Sequence, residues 1–387
     1  MVSNAATRPW RLISLPRCLQ SAQVVQARDW GRVAKVVAKS VKGHGGLLER
    51  HGVFPKHALV SPDDKYLAPD DGSGTPPGGT IGRMSIQYRA ALAYIRFIRS
   101  RAFRANADLA RYVRQDDRLL KDPPASIRSR LDAGCAGRPG YELWWLAPRM
   151  RSARTSVHVL YLHGGAFVFG ITPTHWRFLV NLVEKTGCTV HVPLYPRAPR
   201  HSFVETQAAA LDATRYASAF AQGQPLILMG DSAGASLAFW LTSVGDQHGL
   251  GAVAANILIS PCTDLTLENT AIPRIEKRDP WLTRSGLQRA FALWLKGTPP
   301  GARSVNPMAQ RLSALPPVYL FIGDRDILFP DCMELARRLH ESGTKTEVHV
   351  GRGMCHVWPL LPVPEARDSI SQIHAIIRQH QPAEGQQ

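Results

Sequence analysis

The sequence predicts an α/β protein built on a mostly parallel sheet with helices on both faces. Two observations carry this. Short apolar runs alternate with amphipathic stretches from about residue 141 onward. Most of the runs are apolar at most positions, as in strands buried on both faces, and the stretches between them suit crossover helices.

The apolar runs, in order, are VHVLYL at 157–162, CTVHVPL at 188–194, LILM at 226–229, AANILIS at 254–260, VYLFI at 318–322 and TEVHV at 346–350. Helical patterns fall near 174–185, 204–220, 233–246, 331–342 and 365–379. The stretch 266–315 interrupts the alternation with a Trp-containing helix around 283–295 and reads as an insertion. Upstream, Ile86, Ala90, Ala93, Tyr94 and Phe97 recur at helical spacing and predict a helix over about 84–104. A second helical stretch near 106–120 stops at Pro123-Pro124. Residues 61–82 are rich in Pro, Gly, Asp and Ser and read as a linker. No repeat of 20–50 residues is visible. The expected organisation is a basic extension with linker over 1–82, helices over 83–140, and an α/β domain over 141–380 carrying the insertion.

Composition bounds the function. The 387 residues suffice for a large core, and no apolar run approaches the roughly 18 residues that span a bilayer. Six scattered cysteines with no C-x-x-C pair argue against a disulfide framework or a zinc site and for a reducing compartment. Cys355 beside His356 reads as a small core residue rather than a thiol nucleophile. The net charge of +17 is concentrated in residues 1–155, which hold 27 Lys and Arg against 12 Asp and Glu. That bias permits peripheral contact with an anionic membrane through the N-terminus, or reflects a solvated basic face. No nucleic-acid-binding module is recognisable. Residues 1–28 lack Asp and Glu and hold four arginines, a transit-like composition. No signal peptide is expected. Cytoplasmic residence is expected, with a mitochondrial address as the alternative, and the oligomeric state is left open.

The stretch LILMGDSAGASLAFW at 226–240 places a charge, a serine and two glycines between two buried-looking segments. G-x-S-x-G between a strand and a helix is a nucleophile elbow: the glycines relieve crowding and the serine hydroxyl of Ser232 stands above the sheet. The helix N-terminus that follows favours developing negative charge. YLHGGAFVFG at 161–170 also follows a strand, and the N–H groups of Gly164 and Gly165, with that of Ala233, are candidate donors to an oxyanion. Ser232 then needs a histidine and an acid. Asp326 lies just beyond VYLFI, where open α/β sheets keep their sites, with Asp324 and Asp331 as rivals. His356 lies just beyond TEVHV. His340, His349, His374 and His380 also follow, in helical patterns, within a strand or in the tail.

These motifs resemble the hormone-sensitive-lipase-like family of α/β-hydrolase esterases over roughly 140–380. The resemblance rests on HGGAF (163–167), GDSAG (230–234), SPCTDL (260–265), DPWLT (279–283), GDRDIL (323–328) and GMCHVW (353–358). It implies the α/β-hydrolase fold, with Ser232 as nucleophile, Asp326 as acid, His356 as base, and Asp231 and Asp264 as structural residues. It also implies a helical cap from the N-terminal helices and the insertion, for which Phe167, Trp281 and Trp294 are candidate pocket residues. The expected substrate is a small-molecule ester of short to medium acyl length, with no cofactor and no metal. An amide or formamide substrate, or a binding protein on the same scaffold, are the alternatives. The sequence departs from the family at Tyr195–Arg200, YPRAPR, where Arg200 replaces an acid that would support the loop.

Overall fold

The structure, a computed structural model, describes residues 84–104, 106–119 and 121–382. The basic extension and linker, with their transit-like segment, lie outside the described residues.

The chain enters with α1 (Ile86–Phe97), a 3-10 turn (Arg99–Phe103), α2 (Leu109–Asp117) and the short α3 (Ala125–Arg128). Ser85 caps α1 by accepting the Tyr88 N–H. A hairpin follows, β1 (Asp132–Arg138) and β2 (Tyr141–Ala147), joined by Pro139-Gly140. The six apolar runs are strands: β3 (His158–Leu162), β4 (Thr189–Pro193), β5 (Leu226–Asp231), β6 (Ala255–Ile259), β7 (Val318–Gly323) and β8 (Thr346–Gly351). Between and after them come α4 (Pro173–Thr186), α5 (Phe203–Ala221), α6 (Ala233–His248), α7 (Ile272–Glu276), α8 (Arg284–Leu295), α9 (Phe329–Glu341) and α10 (Arg367–Gln379).

The sheet has eight strands in the order β1-β2-β4-β3-β5-β6-β7-β8. β3 to β8 are parallel, whereas β1 and β2 pair antiparallel, as do β2 and β4. The hairpin corrects the assignment of 83–140 to cap helices alone, since its last part forms β1. DAGCAGR has no apolar alternation to announce a strand, because β1 is an edge strand that buries little. β3 and β5 are buried along their whole length, as central parallel strands are. α6 is buried from Ala233 to Thr242, since it packs directly onto β5 and β6.

The N-terminal helical segment and the insertion pack on one another. Thr283 Oγ1, which caps α8, donates to the Phe103 carbonyl, and the Arg289 guanidinium donates to the Arg104 carbonyl at 2.5 Å. α1 is also tied to the C-terminal part of the fold. The Ser85 N–H and hydroxyl donate to the Glu365 carboxylate at 2.6 and 2.9 Å.

Candidate active site

Parallel strands deliver their following loops to one edge of the sheet. The His163-Gly164-Gly165 turn follows β3, Ser232 follows β5, Asp326 follows β7 and His356 follows β8. Ser232 has φ 51° and ψ −122°, a strained backbone for a residue with a side chain. Packing enforces it. A Cβ at Gly234 would collide with the Leu162 carbonyl, and one at Gly230 would lie 2.6 Å from the Gly234 carbonyl carbon. The chain can therefore turn this sharply only with glycine at both places.

The structure brings the three nominated side chains together. His356 Nε2 lies 3.0 Å from Ser232 Oγ, and His356 Nδ1 lies 2.7 Å from Asp326 Oδ2. Asp326 Oδ1 accepts the Leu328 N–H at 3.0 Å, which fixes the carboxylate plane. All three residues are buried. Burial disfavours the charged imidazole, but the Asp326 carboxylate and its hydrogen bond outweigh this and hold the His356 pKa above the ordinary histidine value. The rivals do other work. Asp324 Oδ1 accepts the Gly353 N–H at 2.7 Å, and Asp331 lies in the first turn of α9. His340, His349 and His374 sit in α9, β8 and α10, and His380 caps the end of α10. Burial pushes the Cys355 thiol up to about 12, so it stays an uncharged core group.

Gly164 corrects one expectation. Its N–H donates to Asp231 Oδ1 at 2.8 Å and is therefore not free for an oxyanion. The same carboxylate accepts the Tyr161 hydroxyl at 2.6 Å, and its Oδ2 lies 3.3 Å from His175 Nε2. Asp231 thus clamps the β3 loop to the elbow. The next three residues all have positive φ: Gly165 at 128°, Ala166 at 52° and Phe167 at 61°. A Cβ on Gly165 would strike the Phe169 carbonyl. Among the described residues, the N–H groups of Gly165 and Ala166, both outside helix and strand, meet no backbone acceptor. Positive φ at Ala166 and Phe167 is unfavourable for residues with a side chain, so the surrounding packing holds this turn. Nothing in the side chain of Ala166 announces this conformation in the sequence.

The aromatic candidates divide. Trp294 is 1% exposed, stacks on Phe167 at 3.8 Å between ring centres and donates its indole N–H to Thr206 Oγ1 at 2.9 Å. Phe167 is equally buried. Both rings pack in the core beneath the loop after β3. Trp281 is half-buried and sets its ring against His356 at 5.7 Å, near edge-on, with the Arg99 guanidinium 5.5 Å from its ring centre. Asp279 positions it. Its Oδ1 accepts the N–H groups of Trp281 at 2.7 Å and Leu282 at 3.0 Å, and its Oδ2 accepts that of Ile327 at 2.8 Å. Asp264, in SPCTDL, holds its loop by accepting from Thr266 N–H and Asn306 Nδ2, both at 2.9 Å. The Tyr195–Arg200 loop has a substitute for its missing acid. Arg197 reaches Asp116 at 3.1 Å and Asp117 at 3.3 Å, and Arg200 reaches Asp117 at 3.4 Å, all from α2.

Sequence and fold comparisons place the chain among known hydrolases. The family model for the alpha/beta hydrolase fold matches residues 159–360, more than half of the chain. Over 242 residues the chain is 31% identical to an acetyl-hydrolase of Streptomyces hygroscopicus, covering 60% of this chain and 78% of that one. Over 221 residues it is 29% identical to an esterase of Acinetobacter venetianus, covering 56% and 72%. The solved structure of an esterase from the bacterial hormone-sensitive lipase family superposes with a TM-score of 0.62 at 25% identity, covering 76% of this chain and 97% of that one. The chain belongs to the alpha/beta hydrolase fold family, as a carboxylesterase- and lipase-like hydrolase of its hormone-sensitive-lipase-like group.

Proposed function

We propose that the chain hydrolyses carboxylic esters of short to medium acyl length through an acyl-enzyme on Ser232. The observation that carries this reading is the unbroken hydrogen-bonded line Ser232–His356–Asp326, at 3.0 and 2.7 Å, above the strained elbow. His356 Nε2 takes the Ser232 proton as Oγ attacks the ester carbonyl. Asp326 keeps the proton on Nδ1 and stabilises the imidazolium. The tetrahedral oxyanion is met by the N–H groups of Gly165, Ala166 and Ala233, each such donor being worth about 10²–10³ in rate. The alkoxide leaves with the proton from His356. Water then attacks the acyl-enzyme by the same relay and frees the acid.

Two observations support a short acyl group. The relative from Streptomyces is an acetyl-hydrolase. Trp281 stands against His356 and is itself fixed by Asp279, so the space beside the base is bounded by a large rigid ring. Each methylene adds about 0.8 kcal/mol only while it finds apolar surface. We therefore expect kcat/KM to rise from acetyl esters and then fall beyond about eight carbons. The test is a series of p-nitrophenyl esters from acetate to palmitate, run beside matched anilides and with the Ser232→Ala variant. Loss of turnover in that variant by about 10⁴-fold or more is expected. Fluorophosphonate labelling at another serine would overturn the assignment of Ser232. A continuous rise to palmitate would overturn the acyl-length reading.

A further inference from the structure

α1 has two faces of opposite character. Tyr88, Ala91 and Ile95, at spacings of three and four, are buried against the body of the protein. Ile86, Arg89, Arg96 and Phe97 recur on the outer face and are exposed, Ile86 by 58% and Phe97 by 61%. Ile98, Arg101 and Arg104 continue this exposed set past the helix end. Residues 84–115 hold seven arginines and one acid, Asp108. An outward Phe and Ile flanked by arginines is costly in water and has a specific complement. Apolar side chains enter the acyl boundary of a bilayer while guanidinium groups meet lipid phosphates. Nucleic acid would satisfy the arginines but leave Phe97 and Ile98 without a partner of their kind. The chain's own segment 1–83 carries 12 Lys and Arg against 6 Asp and Glu, so its net charge opposes covering this face.

We propose that the outer face of α1 and the turn after it, with Phe97 and Ile98 among Arg89, Arg96, Arg101 and Arg104, docks on an anionic lipid bilayer. Contact is peripheral, since no helix of the described residues is long and apolar enough to cross a membrane. Arg99, in the same turn, packs over Trp281, which touches His356, so the docked face adjoins the candidate active site. This proposal is independent of the identity of the ester substrate.

The test is co-sedimentation of the full chain with vesicles of phosphatidylcholine alone and of phosphatidylcholine mixed with phosphatidylglycerol. Two paired variants, Phe97→Asp with Ile98→Asp and Arg89→Glu with Arg96→Glu, are compared with the native chain. The expected result is binding to the phosphatidylglycerol vesicles that weakens at high salt and falls about tenfold or more in each paired variant. Hydrolysis of a soluble ester should stay within about twofold of the native value, which shows that the variants are folded. Equal binding to both vesicle types would overturn the proposal. So would binding that both paired variants retain, which would assign it to the basic segment 1–83. Retention by duplex DNA with no vesicle binding would overturn the lipid assignment.

Discussion

The Tyr88 hydroxyl accepts the Cys355 N–H at 2.7 Å and donates to the Gly353 carbonyl at 3.1 Å, bracing the loop immediately before His356. Tyr88 is fully buried, and burial keeps its phenol protonated and able to donate. Helix α1 is therefore part of the structure that aims the base. Tyr88→Phe leaves a buried N–H and a carbonyl without that partner, at a cost of about 1–3 kcal/mol. We expect a lower Tm and a kcat reduced by about tenfold with little change in KM, since the imidazole is misplaced rather than removed. Steady-state kinetics and thermal unfolding of this variant check it, and unchanged kcat would mean the loop holds itself.

Truncation follows from the same contact. A chain that begins at Gly82 keeps Ser85, Tyr88 and their bonds to Glu365, Gly353 and Cys355. It should hydrolyse a soluble ester within about threefold of the full chain. One that begins at Ala107 loses α1 and the Phe103 carbonyl that receives Thr283, and should be inactive or unfolded. Activity assays with circular dichroism distinguish the two failures.

The pH dependence has a definite sign. The neutral imidazole is the base, and Asp326 raises the His356 pKa. Activity is therefore lost as pH falls through that raised value, earlier than for an ordinary histidine. Asp326→Asn removes the charge, so the acid limb of kcat/KM should move to lower pH. Turnover should fall by about 10⁴-fold, because the amide favours the wrong tautomer. A pH–rate profile of native and variant protein tests both, and an acid limb that stays in place would separate Asp326 from His356.

Asp279 should matter although it touches neither Ser232 nor His356 through a hydrogen bond. Burial and then the neighbouring Asp326 carboxylate push its pKa up to about 7. It receives Ile327 N–H while Asp326 receives Leu328 N–H, so two carboxylates share one turn. Its charge also favours the imidazolium of His356. Asp279→Asn can keep at most one side of this arrangement, since its amide nitrogen cannot accept an N–H. We expect kcat lower by about tenfold and an acid limb displaced downward by less than in Asp326→Asn. A variant with a lower Tm but a native pH profile would reduce Asp279 to a purely structural residue.

Local chemistry made much of this protein legible in the sequence. Apolar runs of strand length separated by helical patterns give the parallel sheet, because buried strands and amphipathic helices differ in period over a few residues. GDSAG, HGGAF, GDRDIL and GMCHVW each lie just beyond such a run, so local pattern alone puts Ser232, the β3 turn, Asp326 and His356 at one sheet edge. The hairpin strand β1 was not legible, since an edge strand with Gly134 and Gly137 has no apolar rhythm. Nor was the fate of the Gly164 N–H, which depends on Asp231, 67 residues away in the chain. The burial of Trp294 depends on Phe167 and Thr206, and the role of Tyr88 on a loop 267 residues distant. Turn and strand signals are properties of neighbouring residues, so sequence by itself determined them. Which donor meets which acceptor, and which aromatic ring is covered, is settled only when distant segments pack and water is excluded between them. The tertiary structure decided those.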